Sequence, residues 1–416
     1  MLILNSWNKF VLKLKFLLLK MLSVGLLAIY TNSLKAATSP NHPENRAHGQ
    51  YGNRPLLVPQ PPTINAKSYI LIDVNSGKII AEKNSEQKLP PASLTKMMTL
   101  YLISDALNKQ QLQLDDSVRI SHNAWNTYGS RMFVKEGERV KITDLLKGII
   151  VQSGNDACIA MAEHLNGGEE TFVIKMNEEA LALGMHNSHF TDSTGLPNKK
   201  LYSTAKDLAI LGQALIQNFP QYYHWYKEKW FTYNNIRQPN RNRLLWRNLQ
   251  VDGIKTGHTN DAGFCLVSSA KRQNMRLLAV IMGSPTEALR NDDSERLLNY
   301  GFRFFKTHKI YSEGEEIKKL RIYKGENALL PVGVEKNYFI TIPAGQYERV
   351  KINTKFTANL QAPIIKGTKI GELTIQFDRD IIDSQPLYAL TSVQKGNFLT
   401  RAKDTVCLFF QRWSKS

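Results

Sequence analysis

Pro90-Pro91-Ala92-Ser93-Leu94-Thr95-Lys96-Met97-Met98-Thr99 sets a serine and a lysine three residues apart behind two prolines. At that spacing both side chains lie on one face of a helix, so the amine can reach the hydroxyl. The prolines mark a helix start, which puts Ser93 near the positive end of the helix dipole. Leu94, Met97, Met98, Leu100, Tyr101, Ile103 and Leu107 follow as an apolar stripe at helical spacing. The Ser-x-x-Lys pattern alone says little, because it also begins at Ser6, Ser85, Ser203, Ser268 and Ser392. Only Ser93 has such a helix behind it and two further elements downstream in order, Ser153-Gly154-Asn155 and Lys255-Thr256-Gly257. Without them it would read as a helix cap beside an exposed lysine.

Together the three elements hold what acyl transfer needs. A serine hydroxyl is a poor nucleophile until a base takes its proton. Lys96 serves if it is neutral, and burial beside a second cation, Lys255, moves it that way. Ser153 would relay a proton to the leaving amine, and the Asn155 carboxamide, donor and acceptor together, would hold a substrate amide. The oxyanion needs two donors, for which the backbone N–H groups of Ser93 and His258 are the candidates. Gly257 leaves room for substrate to approach the strand edge. A free carboxylate on the substrate would be met by Lys255, the Thr256 hydroxyl and one arginine, whose planar fork a lysine cannot replace.

Outward from these elements the pattern is α+β. Tyr69-Ile70-Leu71-Ile72 and Val74 form a strand, Asn75-Ser76-Gly77 a turn, and Lys78–Ala81 a returning strand. Residues 100–215 read mostly helical, and strand character returns at Ile254–Gly257, Phe264–Ser268 and Leu277–Met282. The first and last strands are expected to pair in one antiparallel sheet, closed by a helix from Ser294 to Phe305. Short alternating strands with turns at Lys324-Gly325-Glu326, Pro343-Ala344-Gly345 and Lys366-Gly367-Thr368 then predict a small all-β sandwich. Leu399, Ala402, Val406, Phe409, Phe410 and Trp413 recur at helical spacing among Arg401, Lys403, Gln411, Arg412 and Lys415, which predicts an amphipathic helix lying in a membrane surface. The expected boundaries are a catalytic domain over 63–312, a sandwich over 313–393 and the terminal helix over 394–416.

Lys9, Lys13, Lys15 and Lys20 precede the apolar run Met21–Tyr30 and then Lys35-Ala36-Ala37, so residues 1–37 read as a secretory signal peptide. The Pro- and Asn-rich residues 38–62 read as a linker, with Leu56-Leu57-Val58 able to anchor an arm. The formal charge is +18, and it stays strongly positive without the signal peptide. For an exported chain that suits anionic headgroups or cell-wall polymer, and no basic-aromatic motif argues for nucleic acid. Cys158, Cys265 and Cys407 make no disulfide framework, and no Cys, His and carboxylate cluster has metal-ligand spacing. No metal or other cofactor is expected.

The motifs sit inside longer runs: Ser153-Gly154-Asn155-Asp156-Ala157, Ser203-Thr204-Ala205-Lys206-Asp207-Leu208-Ala209, Asp252-Gly253-Ile254-Lys255-Thr256-Gly257-His258-Thr259 and Leu297–Phe305. On these the chain resembles the low-molecular-mass penicillin-binding proteins that act as D-alanyl-D-alanine carboxypeptidases. The resemblance implies the penicillin-binding and serine β-lactamase-like transpeptidase fold, followed by the sandwich and an amphipathic helix. It also implies removal of the terminal D-alanine from peptidoglycan stem pentapeptides through an acyl-enzyme on Ser93. β-Lactams would acylate the same serine, Arg290 would match the carboxylate-binding arginine, and the chain would sit on the periplasmic face of the cytoplasmic membrane. The loop Thr191–Asn198 would border the site, and it carries no glutamate of the kind class A β-lactamases use for deacylation. A D,D-endopeptidase, a serine β-lactamase and a non-catalytic wall-binding protein are the alternatives.

Overall fold

The computed structural model describes residues 58–413. The expected signal peptide and most of the expected linker lie outside the described residues. The end of that linker is an arm on the fold: Val58 packs on an apolar core, and the Pro59 carbonyl accepts a 2.8 Å hydrogen bond from the Tyr300 hydroxyl.

The strands in chain order are β1 (Ser68–Asp73), β2 (Ile79–Lys83), β3 (Ser117–Arg119), β4 (Arg139–Lys141), β5 (Trp230–Tyr233), β6 (Ile236–Pro239), β7 (Val251–Thr259), β8 (Gly263–Arg272) and β9 (Met275–Ser284). The longer helices are α1 (Lys96–Asn108), α2 (Asn155–Asn166), α3 (Glu169–Ala182), α4 (Ala205–Asn218) and α5 (Glu287–Phe304). The central antiparallel sheet has the order β2-β1-β9-β8-β7, so the first strand does pair with the last, Tyr69 opposite Ile281. Leu277 to Met282 are all fully buried because the sheet is covered on both faces. Alternate residues serve opposite cores. Ile70, Ile72, Leu278 and Val280 meet the helical layer with α1, α2 and α4; Leu71, Leu277, Ala279 and Ile281 meet Leu297 and Leu298 of α5.

Three local expectations change. Residues 100–215 also contain the short β3–β4 hairpin. Helix α5 begins at Glu287, a full two turns before Ser294, because the Thr286 hydroxyl accepts from the Leu289 N–H as an N-cap. Most relevant to the chemistry, Ser93 is not in the α-helix: Ala92–Thr95 form a 3₁₀ turn and the α-helix opens at Lys96. In a 3₁₀ turn residues three apart eclipse, which brings the two side chains closer than an α-helical face would.

At Phe305 the chain passes directly from α5 into β10 (Phe305–Tyr311), ahead of the expected sandwich start at 313. It continues through β11 (Glu316–Arg321), β12 (Leu329–Gly333), β13 (Tyr338–Pro343), β14 (Val350–Phe356), β15 (Lys369–Phe377) and β16 (Asp380–Ala389). β10 pairs with β13, and the other sheet has the order β11-β12-β16-β15-β14. Leu330, Val332, Ile340, Leu373, Ile375 and Leu387 fill the space between them. Buried Asp73 ties the sandwich to the central sheet by accepting from the Thr307 hydroxyl at 2.7 Å. The terminal helix α6 (Phe398–Trp413) is tied to the sandwich by Asp404, which accepts from the Lys324 N–H at 2.5 Å, and its Leu408 is buried. Its Phe398, Leu399, Val406, Phe409 and Phe410 face outward, exposed. Among the described residues no helix is long and apolar enough to cross a membrane.

Candidate active site

Each of the three sequence elements enters one cleft on a different kind of scaffold. Ser93 comes from the 3₁₀ turn, Ser153 and Asn155 from the start of α2, and Lys255 to His258 from edge strand β7. β7 packs against the turn: a Cβ on Gly257 would lie 2.9 Å from the Pro91 carbonyl oxygen and 3.2 Å from the N–H nitrogens of Ser93 and Leu94. Only glycine lets strand and turn come this close, which brings the Ser93 N–H against the strand that carries His258.

Ser153 is set by an unusual backbone. Ile142–Lys147 is helical, but the next turn, Gly148–Gln152, widens into a π-turn that ends with Ser153 in the left-handed region at φ 65°. Such turns and conformations cost about 1–3 kcal/mol and persist where the surroundings over-determine them. Here Asp156 supplies part of the constraint. It is fully buried and accepts from the N–H groups of Met132, Phe133 and Val134 at 3.0, 2.8 and 3.3 Å.

Two lysine–serine bonds meet in the cleft. Lys96 Nζ donates to Ser93 Oγ at 3.1 Å, and Lys255 Nζ donates to Ser153 Oγ at 2.8 Å. Both lysines are buried, at 0% and 2% exposure. Burial pushes Lys96 below the ordinary lysine value; the charge of Arg241 adds to this, and Asp192 and Asp156 oppose it. Lys255 is driven well below that value, first by burial and then by the charges of Lys96, Arg241 and Arg290. Cys158 lies beneath both lysines, its thiol pushed up to about 12 by burial, so it is a neutral apolar packing group.

The loop over the nucleophile is built as a plug. Lys96 Nζ also donates to the Thr194 carbonyl at 2.5 Å. Gly195, at φ +83°, runs so close to the turn that a Cβ would meet the Ala92 carbonyl oxygen at 1.9 Å. Asp192 Oδ1 collects the N–H groups of Thr194 and Gly195 and the Thr194 hydroxyl, while Glu169 holds both the N–H and the hydroxyl of Ser193. Opposite, Asn155 Nδ2 donates to the Tyr128 carbonyl at 2.7 Å.

The arginines divide in role. Arg290 is buried and already paired, 3.0 Å from Glu287, with further hydrogen bonds to Asn291. Arg241, which sequence reasoning missed, is exposed and makes no salt bridge among the described residues, and its charge reaches both lysines. Buried asparagines hold its chain segment: Asn240 donates to the Glu228 carbonyl, and Asn242 donates to the Gly253 carbonyl on β7. The run Asn240-Arg241-Asn242 just ahead of the Lys-Thr-Gly strand is the signal that could have found it.

The chain is similar to known proteins in both of its parts. A family described as D-alanyl-D-alanine carboxypeptidase matches residues 57–286, and one described as the C-terminal domain of penicillin-binding protein 5 matches residues 305–395. The chain is 43% identical over 375 residues to the D-alanyl-D-alanine carboxypeptidase DacA of Escherichia coli (strain K12), covering 88% of this chain and 93% of that one. Among solved structures it is similar to penicillin binding protein 5 from Haemophilus influenzae, with TM-score 0.76, 42% identity and coverage of 81% of this chain and 99% of that one. A more distant likeness, at 28% identity and TM-score 0.53 over 57% of this chain and 98% of the other, is penicillin-binding protein D2 from Listeria monocytogenes in its ampicillin-bound form.

Proposed function

Since the chain belongs to the D-alanyl-D-alanine carboxypeptidase family of serine peptidases, we propose that it removes the terminal D-alanine from peptidoglycan stem pentapeptides, with Ser93 as nucleophile. The observation that carries this is the meeting of two buried lysine–serine pairs in one cleft. Lys96, kept neutral in a fraction of molecules by its lowered pKa, takes the proton as Ser93 Oγ adds to the penultimate D-alanine carbonyl. The backbone N–H groups of Ser93 and His258 receive the oxyanion. Ser153, proton-linked to Lys255, passes a proton to the departing amine as the peptide C–N bond breaks, leaving an ester on Ser93. Water then adds to that ester, the Ser93 Oγ–acyl bond breaks, and the hydroxyl regains its proton.

Asn155 holds the amide of the stem peptide, and Gly257 leaves space for it beside β7. The carboxylate of the terminal D-alanine meets Thr256, Lys255 and an arginine. Arg241, unpaired, offers the free fork, with Arg290 behind it as fixed positive charge. A β-lactam presents a strained amide and a carboxylate in the same relation, so it acylates Ser93 in place of substrate. The exposed apolar row of α6, at the end of a strongly basic chain, supports peripheral attachment to an anionic membrane surface, on the periplasmic face if the N-terminal residues act as a signal peptide.

The test follows D-alanine release from a diacetyl-L-Lys-D-Ala-D-Ala peptide, beside Ser93→Ala. Release from the wild type that drops by about 10⁶ in the variant is expected. Penicillin labelling of Ser93 without any D-alanine release would instead point to endopeptidase or β-lactam-hydrolysing activity.

A further inference from the structure

Beside the cleft lies a surface that the chemistry at Ser93 does not use. In the β5–β6 hairpin Trp230 pairs with Pro239 and Thr232 with Arg237, so Trp230 and Arg237 share the outer face while Phe231 and Gln238 point inward. The Arg237 guanidinium lies over the Trp230 ring at 4.4 Å. Trp230 meets Trp246 edge-on at 6.0 Å, and Lys229 and Arg243 stand over Trp246 at 5.9 and 5.8 Å. Two indoles and three cations thus form one contiguous patch.

The three cations have no carboxylate partner among the described residues. Neighbouring acids are committed elsewhere: Glu228 to Lys147, Asp292 and Glu295 to Arg247, and Glu287 to Arg290. Trp230 is 46% exposed, an unusual state for the residue with the most apolar surface to hide. Positive charge without carboxylate partners, laid beside an exposed indole, is well suited to a ligand that is both anionic and ring-bearing. The patch also continues into the cleft. Arg243 follows Arg241 and Asn242 in the chain, Asn242 is bonded to the carbonyl of Gly253 on β7, and the hairpin braces the segment next to Tyr128 through Gln238, which donates to the Arg131 carbonyl.

We propose that this patch is a docking site for the wall polymer itself: a glycan strand whose sugar faces stack on Trp230 while carboxylates of its peptides pair with Arg237 and Arg243. The inference rests on the carboxypeptidase reading for the choice of polymer. It adds that the enzyme holds the strand beyond the two residues at the scissile bond. Guanidinium forks match carboxylates in two bonds, and the indole face is the surface a sugar ring's C–H groups can cover.

The experiment uses the full chain and purified insoluble peptidoglycan sacculi in a pelleting assay, with R237E/R243E and, separately, W230A. The short peptide above and a fluorescent penicillin report on the cleft. The expected result is a loss of sacculus affinity of about ten-fold or more in R237E/R243E and a smaller loss in W230A, with short-peptide turnover and penicillin labelling within about two-fold of wild type. Sacculus binding unchanged in both variants would overturn the proposal. So would a variant that loses binding to anionic phospholipid vesicles and keeps it for sacculi, which would make the patch a membrane face. If the wild type releases no D-alanine, the carboxypeptidase reading fails while the pelleting comparison still decides this one.

Discussion

Around Ser93 the molecule buries Lys96, Lys255, Asp156 and Arg290, whereas the sandwich strands β11–β16 bury no charged side chain among the described residues. The backbone differs in the same way. Left-handed residues other than glycine at the cleft include Ala92, Phe133 and Ser153; in the sandwich they are Lys324, Asn359 and Asp378, at bends between strands. Asn and Asp tolerate that region, and bulky or buried residues do so only under constraint. One region is therefore held by apolar packing that any good core would supply. The other spends stability on two desolvated ammonium groups and on strained turns, and the packing of the central sheet has to carry that cost. Their substitutions should separate: cleft changes move rate, and sandwich changes move stability.

The sharpest break of that separation is at Lys96. Lys96→Ala is expected to lower Ser93 acylation by about 10³–10⁴ with a fluorescent penicillin, because base and ordered hydroxyl are lost together. Lys96→Met should also reveal the stability cost. A lysine whose folded pKa is depressed binds fewer protons folded than unfolded, so its contribution to stability rises with pH from the folded value towards 10.5. The unfolding free energy of the wild type should gain on that of Lys96→Met across this window, read by urea unfolding at several pH values. A parallel pH dependence of the two proteins would contradict the burial argument.

Leu373→Ala tests the other side. Leu373 is fully buried in the sandwich, and its truncation should cost about 2–5 kcal/mol of sandwich stability with kcat/KM on the short peptide unchanged. A large kinetic effect would mean that the Asp73–Thr307 tie couples the two regions. Gly195→Ala comes next, expected to lower stability by about 1–3 kcal/mol and acylation with it, since the added Cβ meets the Ala92 carbonyl and moves the Ser93 turn. The smallest stability change belongs to Phe409→Ser with Phe410→Ser: within about 0.5 kcal/mol in unfolding, but with weaker flotation on anionic vesicles.

What the chain's letters disclosed follows the same division. The sheet was legible because a strand buried on both faces is a continuous apolar run, as at Tyr69–Ile72 and Leu277–Met282. The sandwich was legible from alternation and turn residues, and Ser93, Lys96, Ser153, Asn155 and Lys255 from three short motifs in order. The structure brings all five together. The 3₁₀ turn at Ser93 escaped because propensity does not separate it from the first turn of an α-helix. The early start of α5 was missed because Thr286 was not read as a cap. Asp156, Asp192, Glu169 and Arg241 were missed for other reasons. Asp156 and Glu169 act across the chain on N–H groups some two dozen residues away, where no local spacing marks the role. Asp192 caps its own loop two and three residues on, and Arg241 was signalled only by the asparagines beside it.

The most direct measurement is the pH dependence of Ser93 acylation by a fluorescent penicillin, wild type beside Lys96→Ala. An acid limb in the wild type with an apparent pKa below the ordinary lysine value of 10.5, absent from the residual rate of the variant, is what a Lys96 depressed by burial requires. An apparent pKa at or above 10.5, or the same limb persisting without Lys96, would contradict the account.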